Sequence, residues 1–371
     1  MANNNKHTGP NVPALRFPEF SGEWTKIKLG DLGSFFSGGT PLSSRKDFYG
    51  GEIPFIRSGE LHSDSTALSI TKEAYDSCSA KMVNKGDLLL ALYGATSGDI
   101  SISRISGAIN QAILCIRPQY TDAYFIKSLW EKHKKHILET YLQGGQGNLS
   151  SEIIKNISFF FPNSDEQVKI SRLIHIIDDR IETQSKIIEE QEILLKSLVE
   201  SLISSQVANM ALNDCVVARS SAMKESEMEQ LGAFPVYGAS GLCGYSNEAL
   251  EEFDSILVTK DGSGVGSCQY ATGKHSFLGT LCSLTAKKDV YLPYIYYTLL
   301  NFNFATYKTG LAIPHINFKD YGKATIYCPS YDGQVRIASG LEELDAKINI
   351  EKELLRQFHL QKGYLLSRMF I

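Results

Sequence analysis

The residues best equipped for chemistry in this 371-residue chain are its eight histidines, seven cysteines and 41 carboxylates, and their spacing builds none of the usual catalytic sites. The histidines form no HExxH or HxH pair. The cysteines (Cys78, Cys115, Cys215, Cys243, Cys268, Cys282 and Cys328) form no CxxC pair, so neither a metal site nor a disulfide framework is expected. The run Asp261-Gly-Ser-Gly-Val-Gly266 has the glycines of a nucleotide loop but not the GK[ST] ending. Its partner earlier in the chain, Tyr93-Gly-Ala-Thr-Ser-Gly98, is equally unlike a phosphate loop. Each follows a predicted strand without leading into a helix, so both read as glycine turns. There is no [DNS]PP[YFW] tetrad and no GxSxG elbow.

What remains suits recognition. Tyr93, Thr96 and Ser97 in the first glycine turn are set against Lys260, Asp261 and Ser263 in the second. Gln146, Asn148 and Ser150 in a second glycine-flanked loop are set against His315 and Asn317. Glycine lets a backbone approach a ligand closely, while hydroxyls and amides can read base edges or phosphates. Two Ser-Gly turns add Arg57 and Ser58, and Tyr237 and Ser240. Arg45 and Lys46 stand in a polar loop after Thr40-Pro41, and Lys132-His-Lys-Lys-His136 is a basic run; both are phosphate candidates or solvated surface. Asn148, Ser150 and Asn317 have a plainer reading as turn caps.

These loops need a frame, and the clearest predicted element is the stretch from Asp165 to about Ser205, which contains neither Pro nor Gly. Ile170, Ile174, Ile177, Ile181, Ile188, Leu195, Leu198 and Leu202 fall at heptad spacing, with Gln184 and Gln191 in the remaining seam positions. A second stretch, from Asp332 to Phe370, repeats the seam in phase at an offset of 167: Ile337, Leu341, Leu344, Ile348, Glu351, Leu355, Phe358, Lys362, Leu365 and Met369. About 40 residues at ~1.5 Å each make a rod of about 60 Å, and two such similar helices are expected to pack on each other.

The match extends upstream. At the same offset of 167, Asp87 pairs with Asp254, Leu90 with Leu257, Cys115 with Cys282, Tyr124 with Tyr291 and Gln167 with Gln334. Toward the N-terminus the offset widens to 181 at Pro54 and Pro235 and to 183 at Asp31 and Asp214, so the first copy holds extra residues between about Leu61 and Lys85. Each half reads as an opening element, an extended segment, a block of buried strands, an amphipathic helix (Tyr124 to Leu142; Tyr291 to Tyr307), a last strand and the long helix. The expected division is a polar tail over 1–20, domains over 21–162 and 207–330, and long helices over 163–206 and 331–371.

The net charge of −4 requires any nucleic-acid face to be a local basic patch. No apolar run approaches a membrane span, and the first 14 residues lack a signal-peptide core, so a cytoplasmic location is expected.

The opening Leu15-Arg-Phe-Pro-Glu-Phe-Ser-Gly-Glu-Trp24 followed by Leu29-Gly-Asp-Leu32 resembles the start of a type I restriction–modification specificity subunit. So do the Asp-Leu-Leu-Leu strand, the Pro-x-x-Asp-x-Gln start of each long helix, and the tandem layout over nearly the whole chain. The resemblance implies an α+β fold. Two tandem, pseudo-symmetric α/β target recognition domains are separated by two long helices that pair as an antiparallel coiled coil. It further implies that each domain reads half of a bipartite double-stranded DNA sequence and that the helices act as a ruler. Two methyltransferase subunits supply S-adenosylmethionine chemistry. Two restriction subunits, where present, use ATP and Mg, and this chain holds no cofactor or catalytic residue. A rod of about 60 Å corresponds to at most ~18 base pairs. The alternative class is a two-domain coiled-coil scaffold that binds protein or glycan.

Overall fold

The structure is a computed structural model that describes residues 11–141, 148–310 and 313–371. It divides into two compact units: unit 1, residues 1–183 with 355–371, and unit 2, residues 184–354.

Unit 1 begins with β1 (Thr25–Lys28), β2 (Gly33–Ser37), β3 (Tyr49–Ile56), β4 (Ser69–Ile70), α1 (Lys72–Asp76) and β5 (Lys81–Val83). It continues through β6 (Leu88–Ala91), β7 (Ile100–Ile102), β8 (Gly107–Ile109), β9 (Ile113–Pro118), α2 (Ala123–Tyr141), α3 (Ser151–Asn156) and β10 (Ser158–Phe161) into the long helix α4 (Ser164–Val199). Strands β2-β9-β6-β7 form an antiparallel sheet, and β4-β3-β8-β5 a mixed one in which β3 and β8 are parallel. The all-apolar β6 is buried on both faces: Leu88 and Leu90 enter the main core with α2, while Leu89 and Ala91 pack toward the second sheet. The extra residues expected in the first copy correspond to α1 and β5, which have no counterpart among the described residues of unit 2.

The main core also takes Trp24, Phe125, Trp130, Phe161, Ile170 and Ile174, together with Met369 and Phe370 from the end of the second long helix. The segment expected as a polar tail is tied down over its described part. Leu15 N–H donates to the Arg368 carbonyl (2.8 Å), and Arg16, whose side chain is 2% exposed, forms a two-bond fork with the fully buried Glu166. Removing either partner leaves an unpaired buried charge, a loss of about 3–5 kcal/mol.

Unit 2 repeats the plan with β11 (Met210–Ala211), α5 (Leu212–Cys215), β12 (Val216–Ser220), β13 (Phe234–Gly238) and β14 (Gly241–Ser246). Then come β15 (Ser255–Thr259), β16 (Cys268–Ala271), β17 (Ser276–Phe277), β18 (Leu281–Ala286), α6 (Leu292–Leu300), α7 (Phe318–Tyr321), β19 (Thr325–Ile326) and α8 (Tyr331–Met369). Sheet β12-β18-β15-β16 answers β2-β9-β6-β7, and β14-β13-β17 answers the mixed sheet. The helix expected over Tyr291–Tyr307 stops at Leu300; the chain restarts as a short 3-10 turn, Phe304–Tyr307, capped by Asn303, whose side chain accepts from Ala305 N–H.

Strand pairing corrects the repeat. Leu88 pairs with Ile116, and Ile256 with Leu284; Phe55 pairs with Ala108, and Val236 with Ser276. The offset across the central sheets is thus 168, not 167. An offset of 167 would match Leu90 of the main core to Leu257, which packs on the opposite face, because a one-residue slip inverts every strand side chain. The offset of 167 holds from the last strand onward: Gln167 and Gln334 each donate to the carbonyl of the proline five residues before them.

The helices α4 and α8 pack antiparallel. In unit 1, Asp178 meets Lys362 (2.7 Å); in unit 2, Gln184 donates to Glu351 (2.6 Å), and Glu192 meets Lys352 (2.6 Å). Ile170, Ile174, Ile177, Ile188, Leu341 and Ile348 are buried, while Ile181, Leu195, Leu198, Ile337, Leu344, Leu355, Phe358 and Leu365 are half-buried. Leu202 departs from the expected seam at 39% exposed; Val199 and Ile203, each 2% exposed, take its place in the core of unit 2. The helix widens to a π-turn over Glu200–Ser204, which rotates the apolar stripe.

Candidate nucleic-acid interface

In unit 1 the ends of β3, β6 and β8 and the start of β9 come together. Asn110 N–H donates to the Ile56 carbonyl (3.3 Å), and Leu92 N–H to that of Ala112 (2.8 Å). The glycine turn after β6 closes on itself through Gly98 N–H to the Ala91 carbonyl (2.8 Å) and Ser97 N–H to that of Gly94 (3.1 Å). Leu149 N–H then donates to the Leu92 carbonyl (2.8 Å), joining the second loop to the first. Unit 2 repeats the lacing: Gly266 to Thr259 (2.9 Å), Val265 to Gly262 (3.2 Å), and Ile316 to Lys260 (2.9 Å). Gly94 and Gly262 both need positive φ (86° and 96°), as do Gly98 and Gly266 (79° and 93°), a conformation that L side chains rarely adopt. The two loops that the sequence singled out in each half are therefore adjacent in each unit, tied to each other through main-chain hydrogen bonds.

Those side chains fall into three groups. Asn148, Ser240, Ser263 and Asn317 are exposed, and Tyr93, Thr96, Lys260, Asp261 and His315 are half-buried on the loops. The backbones of Asp261 and His315 pair as an isolated bridge, and the His315 ring meets the Thr309 hydroxyl at 3.0 Å. Two side chains are committed internally: Ser97 donates to the Leu92 carbonyl (3.1 Å), and Ser150 caps α3 by accepting from Ile153 N–H (3.1 Å). Tyr237 lies edge-on to the buried His275 ring, 5.8 Å away, within β13. Gln146 lies outside the described residues.

Arg57 follows β3 at the same edge as the loops, with Ser58 half-buried beside it. Arg45 belongs to the 3-10 turn before β3, held by Asp47 (2.6 Å) and Glu73 (3.5 Å) and lying over the Phe48 ring at 4.2 Å; Lys46 beside it is exposed. The basic run on α2 is largely spoken for. Lys132 donates to the Phe370 carbonyl (2.6 Å), the His133 ring meets the Ile371 carbonyl (2.9 Å), and Lys134 pairs with Asp99. Burial pushes His133 below its ordinary pKa. Only Lys135 and His136 of that run are exposed.

Sequence reading passed over Thr40 and Gln111, exposed side chains hydrogen-bonded to each other beside the Tyr93 turn, and Thr309, which holds His315. The Gly38-Gly39 pair before Thr40 and the Asn110-Gln111 pair just past an apolar strand were the available signals. Among the described residues there is no group of three or more His, Cys, Asp or Glu arranged to hold a metal, and no helix long and apolar enough to cross a membrane.

Residues 21–192 and 205–358 match the Type I restriction modification DNA specificity domain. The Type I restriction enzyme MjaIX specificity subunit of Methanocaldococcus jannaschii is 28% identical over 189 residues, which is 48% of this chain and 42% of that protein. The Type I restriction enzyme EcoprrI specificity subunit of Escherichia coli is 18% identical over 90% of both chains. The crystal structure of a Type-I restriction-modification system S subunit from M. genitalium shares the fold, with a TM-score of 0.70 at 18% identity over 97% of this chain and 99% of that one. With two domain matches covering most of its length, set on a fold that pairs two long helices, the chain belongs to the family of type I restriction–modification specificity subunits.

Proposed function

We propose that this chain is the DNA sequence-specificity subunit of a cytoplasmic type I restriction–modification complex. Each domain reads one half of a bipartite double-stranded target, and the paired helices set the unread spacer and dock two methyltransferase subunits. The observation that carries this reading is the duplicated pair of laced loops: the same backbone bonds recur at Gly98 and Gly266, while the side chains on them differ. A shared scaffold with different side chains suits two readers of different half-sites. The chemistry then belongs to the partners, with S-adenosylmethionine in the methyltransferase subunits and ATP and Mg in two restriction subunits where they are present. The exposed Asn148, Lys46 and Ser240, with His315, Lys260 and Asn317, are the candidate contacts.

The test is the methylome of a heterologous host expressing this chain with its cognate methyltransferase subunit, read by long-read sequencing. One bipartite motif with a fixed gap is expected. Exchange of residues 21–162 for those of another family member should change one half of the motif only. Methylation without sequence preference sinks the proposal, and a change in both halves sinks the independence of the readers.

A further inference from the structure

We propose that Arg57 is a specificity-determining residue that reads a guanine in the half-site bound by unit 1. The inference rests on the DNA-reading function proposed above.

Arg57 stands at the end of β3, where the backbone ties of Asn110 and Leu92 bring the edges of both sheets to the Tyr93 turn. Its side chain is 46% exposed, and it is not loose. Its Nε and Nη2 donate to the two oxygens of Glu60, both at 3.2 Å. Glu60 is itself fixed, accepting from the backbone N–H groups of Arg57 (3.1 Å) and Ala67 (2.9 Å), and its side chain is only 15% exposed. The guanidinium is therefore gripped along one side. Its outer edge, made of Nη1 and the second Nη2 hydrogen, faces no partner among the described residues.

That geometry separates two roles. A phosphate contact works by charge, and a carboxylate clamped to the arginine cancels most of that charge. A base reader works by direction, since N7 and O6 of guanine accept a parallel pair of N–H groups in the major groove. Glu60 weakens Arg57 as a counterion and orients it as a fork. At the corresponding strand end unit 2 has Gly238 (offset 181), and its only arginines are Arg219 on β12, which donates to the Leu250 carbonyl and pairs with Glu251, and Arg336 on α8. Unit 2 thus has no counterpart of the Arg57 fork at this position.

The experiment compares methylomes of hosts expressing wild-type, Arg57→Ala, Arg57→Lys and Glu60→Gln chains with the cognate methyltransferase subunit, with co-purification of the complex as the folding check. The half of the motif that follows residues 21–162 on domain exchange is expected to hold a G·C pair. Arg57→Lys and Arg57→Ala should each lose about 5- to 150-fold discrimination at that one position. Glu60→Gln should lose discrimination there while raising the affinity of the purified complex for non-target DNA at low salt, a pair of opposite changes that damaged packing would not produce. An unchanged motif with uniformly weaker methylation makes Arg57 a phosphate contact and overturns the inference, leaving the proposed function standing. A unit 1 half-site with no G·C pair overturns it too. If the wild-type chain gives no bipartite motif, the function beneath the inference has failed, and the inference goes with it.

Discussion

The two units solve the same problem, fixing a domain to the long helices, with different chemistry. In unit 1, Lys127 and Lys362 meet Glu131 and Asp178 in a box of four ion contacts between 2.7 and 2.9 Å, and Tyr124 donates to Asp178 at 2.7 Å. The four charged side chains are only 11–22% exposed. In unit 2 the repeat places Asp345 at the position of Asp178 and Leu195 at that of Lys362. The cation is gone, and Asp345 borders a cleft of about 320 Å³ with Leu195, Leu300 and Lys352. A buried network that is fully paired holds one geometry, whereas a single half-buried carboxylate costs stability and specifies little. The same fold therefore docks its domain through a half-buried ion box in unit 1 and, in unit 2, through packing around a cleft, with neutral-donor bonds from Tyr291 to Glu342 and from Asn301 to Glu200 and Ser204.

The comparison breaks most easily at Lys362. Lys362→Met leaves two partly buried carboxylates facing one lysine, and the expected loss is about 3 kcal/mol. Hydrogen exchange should show it as faster opening of α2 and of α4 before residue 184, with protection of β15 and β18 unchanged. Equal loosening of unit 2 would mean that the box is not a local lock.

Acid titration sharpens the contrast because the two aspartates shift in opposite directions. Burial works against the Asp178 carboxylate, but Lys127, Lys362 and the Tyr124 hydroxyl outweigh it and hold its pKa below the ordinary 3.8. Its contribution is complete above that value and is lost as pH falls through the lowered folded value. Asp345 is raised by burial, only partly offset by Lys352. Its charge weakens unit 2 above the raised value, and that penalty is relieved as pH falls toward 3.8. Exchange measured from pH 7 downward should show unit 2 tightening before unit 1 loosens, and Asp345→Asn should remove the first effect alone.

The smallest expected effect compares the loop caps. Ser150 caps α3 with its side chain, while Asn317, its equivalent, stands before α7 without a side-chain cap bond. Ser150→Ala should cost about 1 kcal/mol of stability. Asn317→Ala should cost close to nothing and, if Asn317 contacts DNA, should act on the motif instead. Urea denaturation paired with the methylome assay separates the two.

The long helices were readable because a heptad repeats often enough to outvote its exceptions at Gln184, Glu351 and Lys362. The sheets were readable as apolar runs between glycines, but their alignment was not. Identical residues at Leu90 and Leu257, and at Cys115 and Cys282, favour the wrong offset by one, and only the pairing of strands shows which face each residue occupies. The ion box joins α2, α4 and α8, which no local pattern connects. The Arg57–Glu60 pair was within reach as an (i, i+3) spacing, but its meaning depends on where β3 ends. The basic run on α2 misled because cations that look free in a sequence can be taken up by main-chain carbonyls, as Lys132 is by Phe370.

The lacing of the glycine turns has a consequence for how such a protein changes over generations. Gly98, Gly266, Leu149 and Ile316 hold the loops through main-chain atoms, which every amino acid except proline can supply as donors. Substitutions at the neighbouring Thr96, Asn148, Ser263 or Asn317 leave those bonds in place. Recognition can therefore drift, or be exchanged by recombination between relatives, at nearly constant foldability.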